Sequence, residues 1–125
     1  MIRWLEKNRY VAIILTILIA IEIFYFSSIP GTTVPGGIPG VSMIYHFLVF
    51  FLFNFFLLIS IKGQEKINSK HVLIALLISI SYSVLDEVHQ MFVPLRMPDI
   101  LDVLTDTAGI VLSTILIFYF NKKKS

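Results

Sequence analysis

Four long apolar runs separated by short polar breaks set the pattern of this chain. They cover about residues 10–28, 43–61, 71–92 and 100–120. The hydrocarbon core of a bilayer is about 30 Å thick, so a spanning helix needs roughly 20 mainly apolar residues. Each run meets that length. Backbone groups in lipid must be bonded within the spanning structure, which leaves helices or a closed barrel. A barrel strand alternates apolar and polar positions, whereas these runs are continuous; the second is almost entirely Phe, Leu, Ile and Val. The pattern predicts an all-α membrane protein, a four-transmembrane-helix bundle in which residues 1–125 form a single domain.

Composition agrees and narrows the class. The chain is 57% hydrophobic and only 14% charged, with a mean hydropathy of +0.87, which argues against a water-soluble domain. It has no Cys, so disulfides and thiolate metal sites are excluded. A net charge of +2 is no nucleic-acid signature, and the Phe and Tyr residues are not spaced as a base-stacking platform. The first run has a basic leader but is longer than a typical signal-peptide core, and no A-x-A site follows it. An uncleaved first helix is expected.

Charge also orients the spans. Arg3, Lys7 and Arg9 precede the first, Lys62, Lys66 and Lys70 join the second to the third, and Lys122, Lys123 and Lys124 follow the fourth. The other two connections hold one basic residue between them, Arg96. Basic residues collect on the cytoplasmic side, so both termini are expected there, in a multi-pass protein of the cell membrane.

One stretch breaks the apolar pattern. "SVLDEVHQMFVPLRMPDILDVLTD", residues 83–106, holds Asp86, Glu87, His89, Gln90, Arg96, Asp99, Asp102 and Asp106. The orientation puts it on the extracytoplasmic side, at headgroup depth, with Glu22 and His46 at similar depth on the first two spans. Ionisable groups inside a membrane are costly and are functional candidates by default. Asp86, His89 and Gln90 share one helical face, which continues to Tyr82 and Ser79. Asp99, Asp102, Asp106, Gly109 and Ser113 form a stripe on the fourth span, whose small inner residues allow close helix approach.

Plainer roles compete with this reading. Asp99 follows Pro98 at a helix start and reads first as a cap. Asp102 reads equally as a capping partner or a cluster member. His46 alone could be an interfacial histidine, and Glu22 is a candidate partner for Arg96. Asn54 reads as interhelical glue, and His71 as a solvated residue at a helix start. The candidate catalytic groups are therefore Asp86, Glu87 and His89. The candidate binding groups are His46, Gln90, Arg96, Asp102 and Asp106.

Asp, Glu and His suit a divalent metal, but the spacing matches no closed ligand motif such as H-E-x-x-H, so the cofactor stays unknown. Carboxylates crowded in low dielectric share protons, which would supply an acid and a base together. No Ser has a His partner at a diagnostic spacing.

Beyond these residue-level readings, "LDEVHQMFVPLRMPDILDVLTDTAGI" resembles the signature of the VanZ-like family, small integral membrane proteins related to a teicoplanin-resistance protein. That signature, roughly D-E-x-H-Q-x-F-x-P-x-R and then D-x-x-x-N-x-x-G, maps onto Asp86, Glu87, His89, Gln90, Phe92, Pro94, Arg96, Asp102, Asp106 and Gly109. "FSSIPG" is similar to the family's F-x-x-S-S-x-P element, and His46-Phe47 to its second-helix histidine. The chain departs from the pattern at Asp106, where Asn is common, at Leu95, where Gly is usual, and at Ser42 and Met43, where Asp-Lys is frequent. The resemblance implies a role in antibiotic resistance at the outer membrane surface.

Two classes of function follow as expectations. One is an outward-facing site that binds or modifies a lipid or a lipid-linked envelope precursor, with the Gly/Pro-rich first connection as a lid. The other is a non-enzymatic membrane component that binds a cationic ligand or shields surface targets. Ion transport is disfavoured because the inner halves of the spans hold almost no ionisable group. No nucleic-acid partner is expected, and the sequence leaves the oligomeric state unknown.

Overall fold

A computed structural model describes residues 1–31 and 40–123 of the chain. Among these residues it contains five α-helices and no strand: α1 (Ile2–Lys7), α2 (Arg9–Ser28), α3 (Val41–Lys62), α4 (Ser69–Gln90) and α5 (Ile100–Lys123). The last four are long and apolar enough to cross a membrane and match the four predicted spans to within a few residues. Most of the connection read as a lid lies outside the described residues.

The helix ends have local causes. Pro94 lacks an N–H and its ring would collide with the Gln90 carbonyl of a continuing helix; α4 accordingly ends at Gln90, two residues short of expectation. At the other end of α4, Asn68 and His71 form a reciprocal capping box. His71 is therefore buried, not solvated as its position in the sequence implied. The short α1 was not apparent in the hydrophobic pattern. It tucks Leu5 into a core with Ala12, Phe55, Leu58, Ile59, Ala75 and Ile117, and its Glu6 pairs with Lys62 at 2.7 Å.

α3 is the axis of the bundle. It contacts every other helix, whereas α2 and α5 have no contact with each other. Asn54 on α3 ties three helices together, as its reading as glue implied. Its amide nitrogen donates to Ser113 Oγ at 2.7 Å on α5, and Ser79 on α4 donates to its Oδ1 at 2.9 Å. The faces turned away from the bundle are clad in Ile, Leu and Phe, among them Ile14, Leu18, Leu77 and Ile115, as a lipid-facing surface requires.

Two close approaches place the site. On α5, a Cβ at Gly109 would lie 2.3 Å from the Phe47 carbonyl oxygen of α3, so the two backbones touch there. Beyond α4, the Gly31 N–H donates to the Pro94 carbonyl at 3.0 Å, and a Cβ at Gly31 would strike the Leu95 carbonyl. Leu95 is the one non-glycine residue with positive φ among the described residues, at 61°. That left-handed conformation costs an L-residue about 1–2 kcal/mol, which accounts for the glycine of the family pattern. Its side chain is 69% exposed and has little packing to lose. Leu95→Gly should therefore raise stability by roughly 0.5–1 kcal/mol after the entropy of a new glycine is deducted. Thermal unfolding of the two proteins in one detergent checks this.

Candidate functional site

Because the four spans alternate in direction, the C-terminal turns of α2 and α4 and the N-terminal turns of α3 and α5 meet at one end of the bundle. The polar residues of the sequence pattern gather there. The contact at Gly109 brings α5 against α3 one turn below Asp106 and beside His46. Asp106 Oδ1 then lies 2.8 Å from His46 Nδ1, and Ser83 of α4 donates to Asp106 Oδ2 at 2.7 Å. Asp106 is fully buried with both oxygens engaged. An ionised carboxylate only accepts, so His46 donates from Nδ1 and turns Nε2 toward the next group of acids.

Nε2 lies 3.6 Å from Asp102 Oδ2, beyond hydrogen-bond range. Asp86 and Glu87 approach from α4, and His46, Asp86 and Glu87 each present a ligand-type atom within 4.8 Å of the others. Glu87 Oε2 accepts from the Asp99 N–H at 3.0 Å, while its buried Oε1 has no hydrogen-bond partner among the described residues. Asp99 itself accepts from the Leu101 N–H at 2.9 Å and caps α5, as its place after Pro98 implied.

In front of this cluster a cavity of about 770 Å³ lies between α2 and α3, with α4 as its floor. Glu22, Ser27, Tyr45, His46, Asp86, Gln90 and Arg96 supply its polar lining, and Ile23, Phe26, Val49 and Phe50 an apolar wall. The Tyr45 hydroxyl is buried without a hydrogen-bond partner among the described residues. Arg96 donates through Nε to the Ile29 carbonyl at 3.0 Å and through Nη2 to the Phe26 carbonyl at 3.0 Å. It thus caps the C-terminal end of α2, where a cation is favoured. Among the described residues no ion pair joins it to Glu22. Its remaining guanidinium N–H groups are those left for a ligand.

The structure thus separates the candidates into groups. His46, Asp86, Glu87, Asp102 and Asp106 form one connected cluster, and Gln90 and Arg96 border the cavity in front of it. His89 turns elsewhere: its ring stacks on Phe24 of α2 at 4.7 Å, and Nε2 is 2.9 Å from Ser28 Oγ. Tyr82, on the same predicted face, donates to the Ala20 carbonyl at 2.5 Å and holds α4 to α2. Sequence reasoning missed Tyr45 and the role of Ser83. Ser83 had a signal, since it lies three residues before Asp86 and four after Ser79. Tyr45 had none beyond adjacency to His46.

A bundle of four apolar helices, each contributing polar groups to one end, defines a multi-pass membrane protein with a recessed polar site. The VanZ/LLP1 family model matches residues 8–121, nearly the whole chain, and the chain belongs to that family. No curated protein and no solved structure matches it.

Proposed function

We propose that the cavity is the headgroup site for a membrane amphiphile of the outer leaflet, a phospholipid or a lipid-linked envelope precursor. Through it the chain binds or modifies that lipid and so lowers susceptibility to glycopeptide-type antibiotics. The side of the membrane rests on the distribution of Lys and Arg, with three clusters at the opposite end of the bundle and Arg96 alone at this one. The observation that carries the ligand class is the cavity itself. It joins an apolar wall to a polar floor, and Tyr45, which lines it, has a hydroxyl with no hydrogen-bond partner among the described residues. Pockets of this volume with a few convergent polar groups are typical of small-molecule sites.

Native mass spectrometry of gently extracted protein is the test, and a copurifying amphiphile is expected. Tyr45→Phe should weaken its retention about 3–10-fold, the worth of one hydrogen bond. It should not lower the melting temperature, because that hydroxyl has no hydrogen-bond partner among the described residues. Retention of no amphiphile by the wild type would sink the reading. Product released during incubation would separate modification from binding.

The second reading, a non-enzymatic component that binds a cation, is favoured by one observation. The site end holds Glu22, Asp86, Glu87, Asp99, Asp102 and Asp106 against Arg96 as its one Lys or Arg.

A further inference from the structure

We propose that His46, Asp86 and Glu87 form a binding site for a divalent metal ion, with Asp102 at its rim and Asp106 as the residue that positions His46. This deepens the headgroup reading and rests on it for biological purpose, since a bound dication would reverse the repulsion between crowded carboxylates and an anionic headgroup.

Three independent features converge on the same point. The first is proximity with burial: the three donor atoms lie within 4.8 Å of one another, on residues that are each less than a tenth exposed. Three donors on one tetrahedral ion at ligand distances of about 2.1 Å lie about 3.4 Å apart. Side-chain closure of up to about 1.4 Å therefore completes the set.

The second is uncommitted valence. Glu87 has one oxygen engaged by the Asp99 N–H and the other buried with no partner among the described residues. Among the described residues no Lys or Arg pairs with Asp86, Glu87 or Asp102. Crowding carboxylates in a buried site is costly, and a dication would offset that cost.

The third is the state of His46. Metal-ligating histidines donate their other ring N–H to a carboxylate that is itself hydrogen-bonded. Nδ1 does so to Asp106 at 2.8 Å, and Asp106 is held in turn by Ser83, which leaves Nε2 for the ion.

One imidazole with two or three carboxylates suits Mn²⁺ or Zn²⁺ better than the all-oxygen sets of Ca²⁺ and Mg²⁺. The test uses these ions alone, on full-length chain in nanodiscs after chelation and with no lipid ligand added. Mn²⁺ binding is followed by electron paramagnetic resonance, and retained Zn²⁺ by elemental analysis after desalting. One ion per chain is expected, with ¹⁴N coupling to Mn²⁺ from His46. Glu87→Gln should abolish stoichiometric binding. Asp106→Asn should weaken it about 10–100-fold, as expected for a partner behind a ligand, and alter the ¹⁴N coupling. Glu65→Gln, on the exposed connection at the opposite end, should change nothing.

Substoichiometric retention by folded wild-type protein overturns the site, as does undiminished binding in Glu87→Gln. Should Glu87→Gln not fold, Asp86→Asn takes its place under the same criterion. Because no lipid ligand is added, failure here leaves the amphiphile retention and the Tyr45→Phe result standing.

Discussion

Replacing Asp106 with Leu should lower stability by about 2–6 kcal/mol, the cost of leaving two buried polar groups unpaired. The carboxylate is fully buried and joins three helices: α5 through its own backbone, α3 through His46 Nδ1 and α4 through Ser83 Oγ. Leu fills much of the volume but leaves two buried groups without partners, each at about 1–3 kcal/mol. Asp106→Asn is the informative contrast. An amide can accept from His46 through its oxygen and donate to Ser83 through its nitrogen, so the loss should stay below about 1.5 kcal/mol. The same geometry explains why the family pattern accepts Asn here. Reversible unfolding in mixed micelles, followed by circular dichroism, measures both variants; equal losses would refute this account of the residue.

Gly109→Ala should be of comparable size for a steric reason. The added Cβ would lie 2.3 Å from the Phe47 carbonyl oxygen and 3.1 Å from the Phe51 nitrogen. Both are backbone atoms of α3 and cannot rotate aside, so α5 must withdraw. Overpacking of this kind costs about 1–3 kcal/mol or more. The withdrawal also carries Asp106 away from His46, one turn along. Gly109→Ala and Asp106→Asn should therefore be non-additive in a double-mutant cycle, by about 0.5 kcal/mol or more. Simple additivity would show that the helix contact and the polar cluster are energetically separate.

The spans could be read from the sequence because lipid imposes length and hydropathy on each helix independently of its neighbours. Asn54 as glue and Asp99 as a cap were legible for the same reason: their chemistry is local or generic. The division of the polar stripe was not. Helical spacing places His89 with Asp86 and Gln90, yet a residue at the edge of a face can turn to either neighbouring helix, and Phe24 and Ser28 on α2 supply a ring and a hydroxyl for it. The Glu6–Lys62 pair and the Gly31–Leu95 contact escaped notice because their partners lie more than fifty residues apart, with no periodicity to link them. The family signature carried Asp106 and His46 into the site, but their direct bond, and the backbone contact at Gly109 one turn away, follow from how α5 meets α3.

The position of the cavity between α2 and α3 has a kinetic corollary. Both helices turn apolar side chains outward, and α2 has no contact with α5. A headgroup seated there keeps its acyl or prenyl tail in the surrounding leaflet throughout. Occupancy would then follow the mole fraction of the amphiphile in the bilayer and its lateral diffusion, and diluting the membranes in buffer at fixed lipid composition would leave it unchanged.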